Sequence, residues 1–283
     1  MNIRQPVAAG RFYPADPDTI RSVLEALRKE GAPPRSSGNS GEERLLGGVV
    51  PHAGYKYCAE EALCFFDLLR DMTDQPDTVV IVHPDHFGTG EAISADGHDA
   101  WNTPLGLIET DPDLARSLEI PLSLRAEGHE HAAEVLLPYL QISLRQSFRL
   151  VAVSMTVQSY KNAGTLAWKL AGAIRSSGRN ALVLASSDFT HYERPEVGFY
   201  YDNLVIDRIL EFNARDLFDT VRENRISVCG YGAIITLMLY AGMVSDRPEA
   251  AVLARGNSGK CGDTDQVVDY VSIAMYGRRL SGH

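Results

Sequence analysis

No apolar run in the chain approaches the ~20 residues that a membrane-spanning helix needs. The opening residues Met1-Asn2-Ile3-Arg4-Gln5-Pro6 lack the apolar core of a secretory signal. A cytoplasmic protein without a membrane partner is the expectation. Basic residues are scattered and outnumbered, 27 against 37 acidic, for a formal net charge of −10. Such a chain repels phosphate backbones, so nucleic acid is not an expected partner. There is no Walker A loop, and no strand leads into G-x-G-x-x-G. The four cysteines, Cys58, Cys64, Cys229 and Cys261, form no CxxC pair, which argues against a structural zinc knuckle. A cytoplasmic chain of this size also has no need of disulfides. Ser186, Ser187, Asp188 and His191 raise the idea of a serine nucleophile, but no G-x-S-x-G elbow surrounds either serine. Internal repeats and extended low-complexity tracts are missing as well.

What is present is a pattern of short apolar runs between longer helical ones. Hydrophobic residues make up 45% of the 283, enough for a sizeable core. Asp16 and Pro17 mark the start of a first helix, with Ile20, Val23, Leu24 and Leu27 at helical spacing and Gly31, Pro33 and Pro34 to stop it. Arg35–Glu43 reads as a mobile loop. Leu45–Val50, Thr78–Val82, Leu150–Val153 and Ala181–Ala185 are short and partly β-branched with little polar alternation, the signature of strands buried on both faces. Helical patterns lie near Glu60–Arg70, Glu130–Leu144, Ala163–Arg175, Asn203–Phe212 and Gly232–Ala241, and two later strands fit Ala250–Gly256 and Val267–Tyr276. This order predicts an α/β fold with a mixed central sheet and helices on both faces.

Chemically capable residues gather just beyond the strands. Leu45–Val50 runs into Pro51-His52-Ala53-Gly54-Tyr55, Thr78–Val82 into His83-Pro84-Asp85-His86, and Ala181–Ala185 into Ser186-Ser187-Asp188-Phe189-Thr190-His191. In open α/β sheets the carboxyl ends of strands bring distant loops into one crevice, which would bring His52, His86, Asp188 and His191 near each other. Imidazole is a common ligand of iron, copper and zinc. Cys229 stands just ahead of an apolar helix, where the helix N-terminus favours the thiolate that binds metal. Asp188 and His191 are candidates to orient ligands or move a proton. Glu130 and Glu134, one helical turn apart, fit an exposed acidic face. Spacing supports a site but does not fix its ligand set.

Six motifs in order carry a resemblance: Ala9-Gly10-Arg11-Phe12-Tyr13-Pro14, Pro51-His52-Ala53-Gly54-Tyr55, Thr103-Pro104-Leu105-Gly106, Glu130-His131 with Leu137-Pro138-Tyr139-Leu140, Ser186–Tyr192, and Cys229-Gly230. Together they resemble the Memo family, which in turn resembles the catalytic subunit of class III extradiol dioxygenases. The resemblance implies a single domain over residues 1–283 with the dioxygenase-like fold. Those dioxygenases hold Fe(II) with two histidines and a carboxylate; in the Memo family a cysteine takes the third place. The implied metal ligands here are His52, His86 and Cys229, around non-haem iron or copper, with zinc compatible. Asp188 and His191 are the implied catalytic pair, with His191 as acid/base and Asp188 orienting it, and Glu130 and His131 are further catalytic candidates in the cleft. Prokaryotic relatives are often labelled as part of the AmmeMemoRadiSam system, which implies association with a radical-SAM protein. The chain departs from the family pattern at His83-Pro84-Asp85-His86, where relatives read Gly-Pro-Asn/Ser-His. His83 is thus an extra imidazole, a competing ligand or a neighbour of the ligands. Further departures are Phe87 where a second histidine often follows, Tyr57-Cys58-Ala59 for Tyr-Ser-Gly, and Ala132 for the serine of Glu-His-Ser.

Two functions compete on these grounds. One is a metal-dependent oxidoreductase or oxygenase, with the caution that a thiolate in place of a carboxylate changes metal preference and is itself oxidisable. The other is a non-catalytic adaptor whose cleft binds a peptide or small molecule, with a structural metal or none.

Overall fold

The chain, seen in a computed structural model that describes residues 1–28, 43–262 and 264–278, opens with a two-residue strand, β1 (Ile3–Arg4), and helix α1 (Pro17–Leu27). Asp16 caps α1 by accepting the Thr19 N–H at 2.7 Å, Pro17 sits in its first turn, and Ile20 and Leu24 form its buried face. The predicted helix stop at Gly31, Pro33 and Pro34 and the loop over 35–42 lie outside the described residues. Strand β2 (Glu43–Val50), helix α2 (Tyr55–Asp71) and strand β3 (Thr78–Pro84) follow. Short pieces come next: β4 (Ser94–Asp96), β5 (Ala100–Thr103), β6 (Gly106–Glu109), α3 (Pro112–Ser117) and β7 (Leu122–Ser123). Then come α4 (Leu137–Ser143), β8 (Arg149–Met155), α5 (Tyr160–Ser177), β9 (Ala181–Ser186) and β10 (His191–Glu193). The last elements among the described residues are α6 (Pro195–Leu210), α7 (Ala214–Asn224), α8 (Tyr231–Val244), β11 (Glu249–Asn257) and β12 (Val267–Arg278).

The main sheet has the order β10-β12-β2-β9-β3-β8-β4-β7, with β11 paired to β12. Its centre, β2-β9-β3-β8, is parallel, whereas β12 runs antiparallel to β2 and β4 antiparallel to β8. The sheet is therefore mixed, as expected. A smaller sheet, β1-β5-β6, stands apart from it.

Side-chain alternation gives the central strands two apolar faces. Val79 and Ile81 of β3, Leu150 and Ala152 of β8, and Leu182 and Leu184 of β9 pack with Leu63, Phe65, Phe66 and Leu69 of α2. Their neighbours Val80, Val82, Val151, Val153, Val183 and Ala185 pack on the other side with Leu166, Ala167 and Leu170 of α5 and with α8. The connection β2-α2-β3 crosses the sheet in one direction and β8-α5-β9 in the other. Crossovers of one hand then deposit their helices on opposite faces, and all seven residues of β3 are buried.

Three expectations are corrected. The helix expected over Glu130–Leu144 is broken into a 3-10 turn, Glu134–Leu136, and a separate α4, which has Pro138 in its first turn. The pattern seen at Asn203–Phe212 belongs to α6, which starts at Pro195 and ends before Phe212, whose φ of 55° leaves the helical region. Glu130 and Glu134 are not an exposed acidic face; both are fully buried. No helix among the described residues is long and apolar enough to cross a membrane.

Candidate metal centre

Because β2, β9 and β3 are parallel neighbours, their carboxyl ends share one edge of the sheet. His52 lies two residues beyond β2, His86 two beyond β3 and Asp188 two beyond β9. Cys229 reaches the same place from the other direction, through the turn into α8. Gly230 makes that approach feasible: a Cβ there would lie 2.4 Å from the Ser186 carbonyl oxygen. The Gly230 N–H donates to Ser187 Oγ at 2.9 Å. Gln158, just past β8, fastens the turn by donating to the Cys229 carbonyl and accepting the Gly232 N–H, each at 2.7 Å.

Ligand atoms of His52, His86 and Cys229 all lie within 4.8 Å of one another. Cys229 Sγ is 3.3 Å from His52 Nε2 and accepts the Asp188 N–H at 3.2 Å. His52 is buried, and burial, together with the neighbouring His131 and His86, holds it well below the usual histidine range, hence neutral. Asp188 Oδ1 accepts the backbone N–H groups of His52 and Ala53 at 2.8 and 3.3 Å, so this carboxyl fixes the His52 loop. Burial raises the Asp188 pKa.

Glu130 organises the other wall. Its Oε2 accepts the His86 N–H at 2.7 Å, and its Oε1 accepts His86 Nδ1 at 2.9 Å and the N–H groups of His131 and Ala132 at 2.8 and 2.9 Å. His131 Nδ1 stands 3.2 Å from the same oxygen. Burial opposes ionisation of Glu130, but the hydrogen bonds from His131 and His86 and the charge of His83 outweigh it and hold the carboxyl far below its ordinary value. A carboxylate only accepts, so His86 carries a proton on Nδ1, and in the neutral imidazole the lone pair is on Nε2. The three rings form a cluster: His52–His86, His52–His131 and His86–His131 centroids are 5.2, 5.5 and 4.9 Å apart. Phe12 covers His131 at 4.3 Å.

The chemistry of this donor set fits a transition metal. Two imidazoles and a sulfur converge, one imidazole is backed by a carboxylate in the manner of metal-ligating histidines, and no lysine or arginine ion pair intrudes among these residues. Burial, and then the Asp188 carboxylate, push the Cys229 thiol well up. The expected thiolate-favouring effect of the α8 N-terminus is thus outweighed, and a cation at the sulfur is what would favour the thiolate.

Three sequence expectations change here. His191 and Asp188 do not pair: His191 Nδ1 donates to the Ser227 carbonyl at 2.8 Å, and the Asp188 bonds go to the His52 loop. His191 is still close enough to act electrostatically on both His52 and Asp188. His83 is not a competing ligand, because both ring nitrogens are engaged. Nδ1 donates to the Pro84 carbonyl at 2.9 Å and Nε2 meets Glu127 Oε1 at 3.0 Å. Burial works against charging His83, yet Glu127 raises its pKa to about 9. The serine-nucleophile reading fails, since both hydroxyls are buried and already hydrogen-bonded. Sequence reasoning missed Gln158, the Glu127 partner of His83 and the role of Phe12, although Phe12 lay inside a recognised motif.

An α/β protein that collects three histidines, a cysteine and two buried carboxylates at the carboxyl edge of a parallel sheet core is the class that fold and site define. The Memo-like protein family model matches residues 4–274. A MEMO1 family protein of Methanosarcina mazei is 38% identical over 279 residues, covering 97% of this chain and all of that one. One from Methanothermobacter thermautotrophicus is 34% identical, covering 96% and 100%. The chain belongs to the Memo-like family. Its fold is also similar to that of an uncharacterized protein from Escherichia coli K12, with a TM-score of 0.56 at 14% identity, over 82% of this chain and 99% of that one.

Proposed function

We propose that the cleft holds one redox-active transition-metal ion, iron(II) or copper, on His52, His86 and Cys229, and that the protein is a metal-dependent oxidoreductase acting on a small molecule. The observation that carries this reading is the meeting of three soft or borderline donor atoms within 4.8 Å, delivered by three separate chain segments. Three protein ligands leave a coordination position open, as catalytic rather than structural centres do. Bound there, the metal would supply electron transfer and Lewis acidity. The chain's own groups supply the rest. Asp188 keeps the His52 loop in place, and Glu130 holds the proton of His86 on Nδ1. His131 and His191, each anchored through Nδ1, keep Nε2 for moving a proton to or from a substrate. Phe12 shields His131 from water.

The test is anaerobic purification, reconstitution with Fe(II), Cu(I) or Zn(II), metal analysis and oxygen-uptake assays on the wild type, His52→Ala, His86→Ala and Cys229→Ser. Stoichiometric metal in the wild type, its loss in His52→Ala and His86→Ala, and weakened binding in Cys229→Ser, which keeps both imidazoles, are expected. No metal in the reconstituted wild type sinks the metalloenzyme reading; undiminished metal in the variants sinks the ligand assignment.

A further inference from the structure

Ser186 is fully buried at the end of β9, and its hydroxyl has two close partners. It donates to the Ala132 carbonyl oxygen at 2.7 Å, and it lies 2.8 Å from His52 Nδ1. A hydroxyl has a single proton. A carbonyl oxygen can only accept, so that proton is committed to Ala132. Ser186 Oγ can then meet His52 only as an acceptor, which requires the proton of the neutral imidazole to sit on Nδ1. The lone pair is left on Nε2, the nitrogen that faces Cys229 Sγ at 3.3 Å.

The turn Glu130-His131-Ala132 therefore acts on both imidazoles. Through the Glu130 carboxylate it puts the proton of His86 on Nδ1; through the Ala132 carbonyl and Ser186 it does the same for His52. The turn is itself closed by the His131 and Ala132 N–H groups donating to Glu130 Oε1. We infer that Ser186 is a positioning residue, not a nucleophile: its hydroxyl, oriented by the Ala132 carbonyl, fixes His52 in the tautomer that presents a bare Nε2 to the cleft. The inference rests on the metal-centre reading for its purpose, but the tautomer is a property of the metal-free protein.

Without the hydroxyl, nothing selects Nδ1–H. Free neutral imidazole side chains favour the proton on Nε2, where it would block ligation. Loss of such an outer partner typically weakens metal binding about 10–100-fold.

The experiment is long-range 15N–1H correlation NMR of metal-free, histidine-labelled protein, with Zn(II) affinity measured anaerobically by chelator competition. In the wild type, His52 and His86 both show the Nδ1–H pattern. In Ser186→Ala, His52 shifts toward Nε2–H while His86 is unchanged, and Zn(II) affinity falls about 10–100-fold. Ser186→Thr, which keeps the hydroxyl, restores both readouts. If the alanine variant does not fold, Ser186→Cys, a weaker acceptor of similar shape, shifts His52 in the same direction. A His52 that is Nε2–H in the wild type, or Nδ1–H in Ser186→Ala or Ser186→Cys, overturns the inference. A tautomer that responds as expected in a protein that binds no metal leaves the inference standing and removes the metal-centre reading instead.

Discussion

At the scale of single residues the site is a set of histidines whose protons are assigned by their neighbours. His86 is fixed by Glu130, His191 by the Ser227 carbonyl and His83 by Glu127. The same pairs make the chemistry pH-dependent. Burial keeps the Cys229 thiol protonated, so binding a metal must expel that proton. Zn(II) affinity should therefore rise by up to about tenfold per pH unit across neutral pH, and this slope should vanish in Cys229→Ser. His83 behaves differently. Its folded pKa of about 9 lies above the ordinary histidine value of 6.5, so its contribution to stability is complete below pH 6.5 and is lost as pH rises through about 9. That contribution is on the order of 3 kcal/mol. Denaturant titrations of the wild type between pH 6 and 10 should show this loss, and His83→Gln should flatten it. A wild type and variant with parallel pH profiles would remove the buried imidazolium–carboxylate pair from the account.

At the scale of elements, a second acidic pair lies beneath the loop that joins β9 to β10. Asp202 of α6 accepts both the N–H and the hydroxyl of Thr190, at 3.1 and 2.7 Å. Asp269 of β12 pairs through its backbone with Phe189 and Thr190. The two carboxyls act on each other: burial and then the Asp202 charge raise Asp269 to about 7, and burial raises Asp202 as well. Gly198 makes room for the pair, since a Cβ there would lie 2.1 Å from Asp269 Oδ2. A raised carboxyl favours the folded state at low pH. This stabilisation is complete below about pH 4 and declines as pH rises to about 7. Asp269→Asn should thus be more stable than the wild type at pH 8 and lack the decline between pH 4 and 7, as thermal unfolding would show. Equal pH profiles would contradict the raised Asp269 carboxyl. The elements differ in how far sequence reveals them. The central strands were legible because both faces are buried, which leaves β3 as an unbroken apolar run. The strands β4 to β7 were not: they span two to four residues, too few for any period to register. Helix α7, absent from the sequence reading, carries a readable signal: the Asn213 cap with Leu217 and Val221 at helical spacing. Convergence of the site followed from strand ends, but which carboxylate serves which histidine depends on contacts more than forty residues apart in sequence, such as His83–Glu127 and His86–Glu130.

At the scale of the whole molecule, the segment before α1 locks the site's outer wall. Arg4 donates to the carbonyls of Glu127 and Glu130 at 2.8 and 2.6 Å and pairs with Glu134 at 2.7 Å, with both side chains buried. The Val7 and Ala8 N–H groups and the Tyr13 hydroxyl fill the remaining acceptor sites of Glu134. Arg4 also stacks on Trp101 at 4.0 Å. One partner removed leaves a buried charge uncompensated, so Arg4→Ala should cost about 3–5 kcal/mol in denaturant unfolding; a loss under about 1 kcal/mol, the range of an exposed pair, would contradict this. The buried side chains of Glu127, Glu130 and Glu134 thus serve three tasks along one segment: holding His83, orienting His86, and tying down the N-terminal segment that brings Phe12 onto His131. The central claim is that this architecture makes a two-histidine, one-thiolate metal centre. X-ray absorption at the zinc edge of anaerobically loaded protein tests it most directly. The account predicts nitrogen scatterers at about 2.0–2.1 Å with one sulfur at about 2.3 Å, the sulfur vanishing in Cys229→Ser. A shell of nitrogen and oxygen alone in the wild type, or a sulfur that persists in the variant, would contradict it.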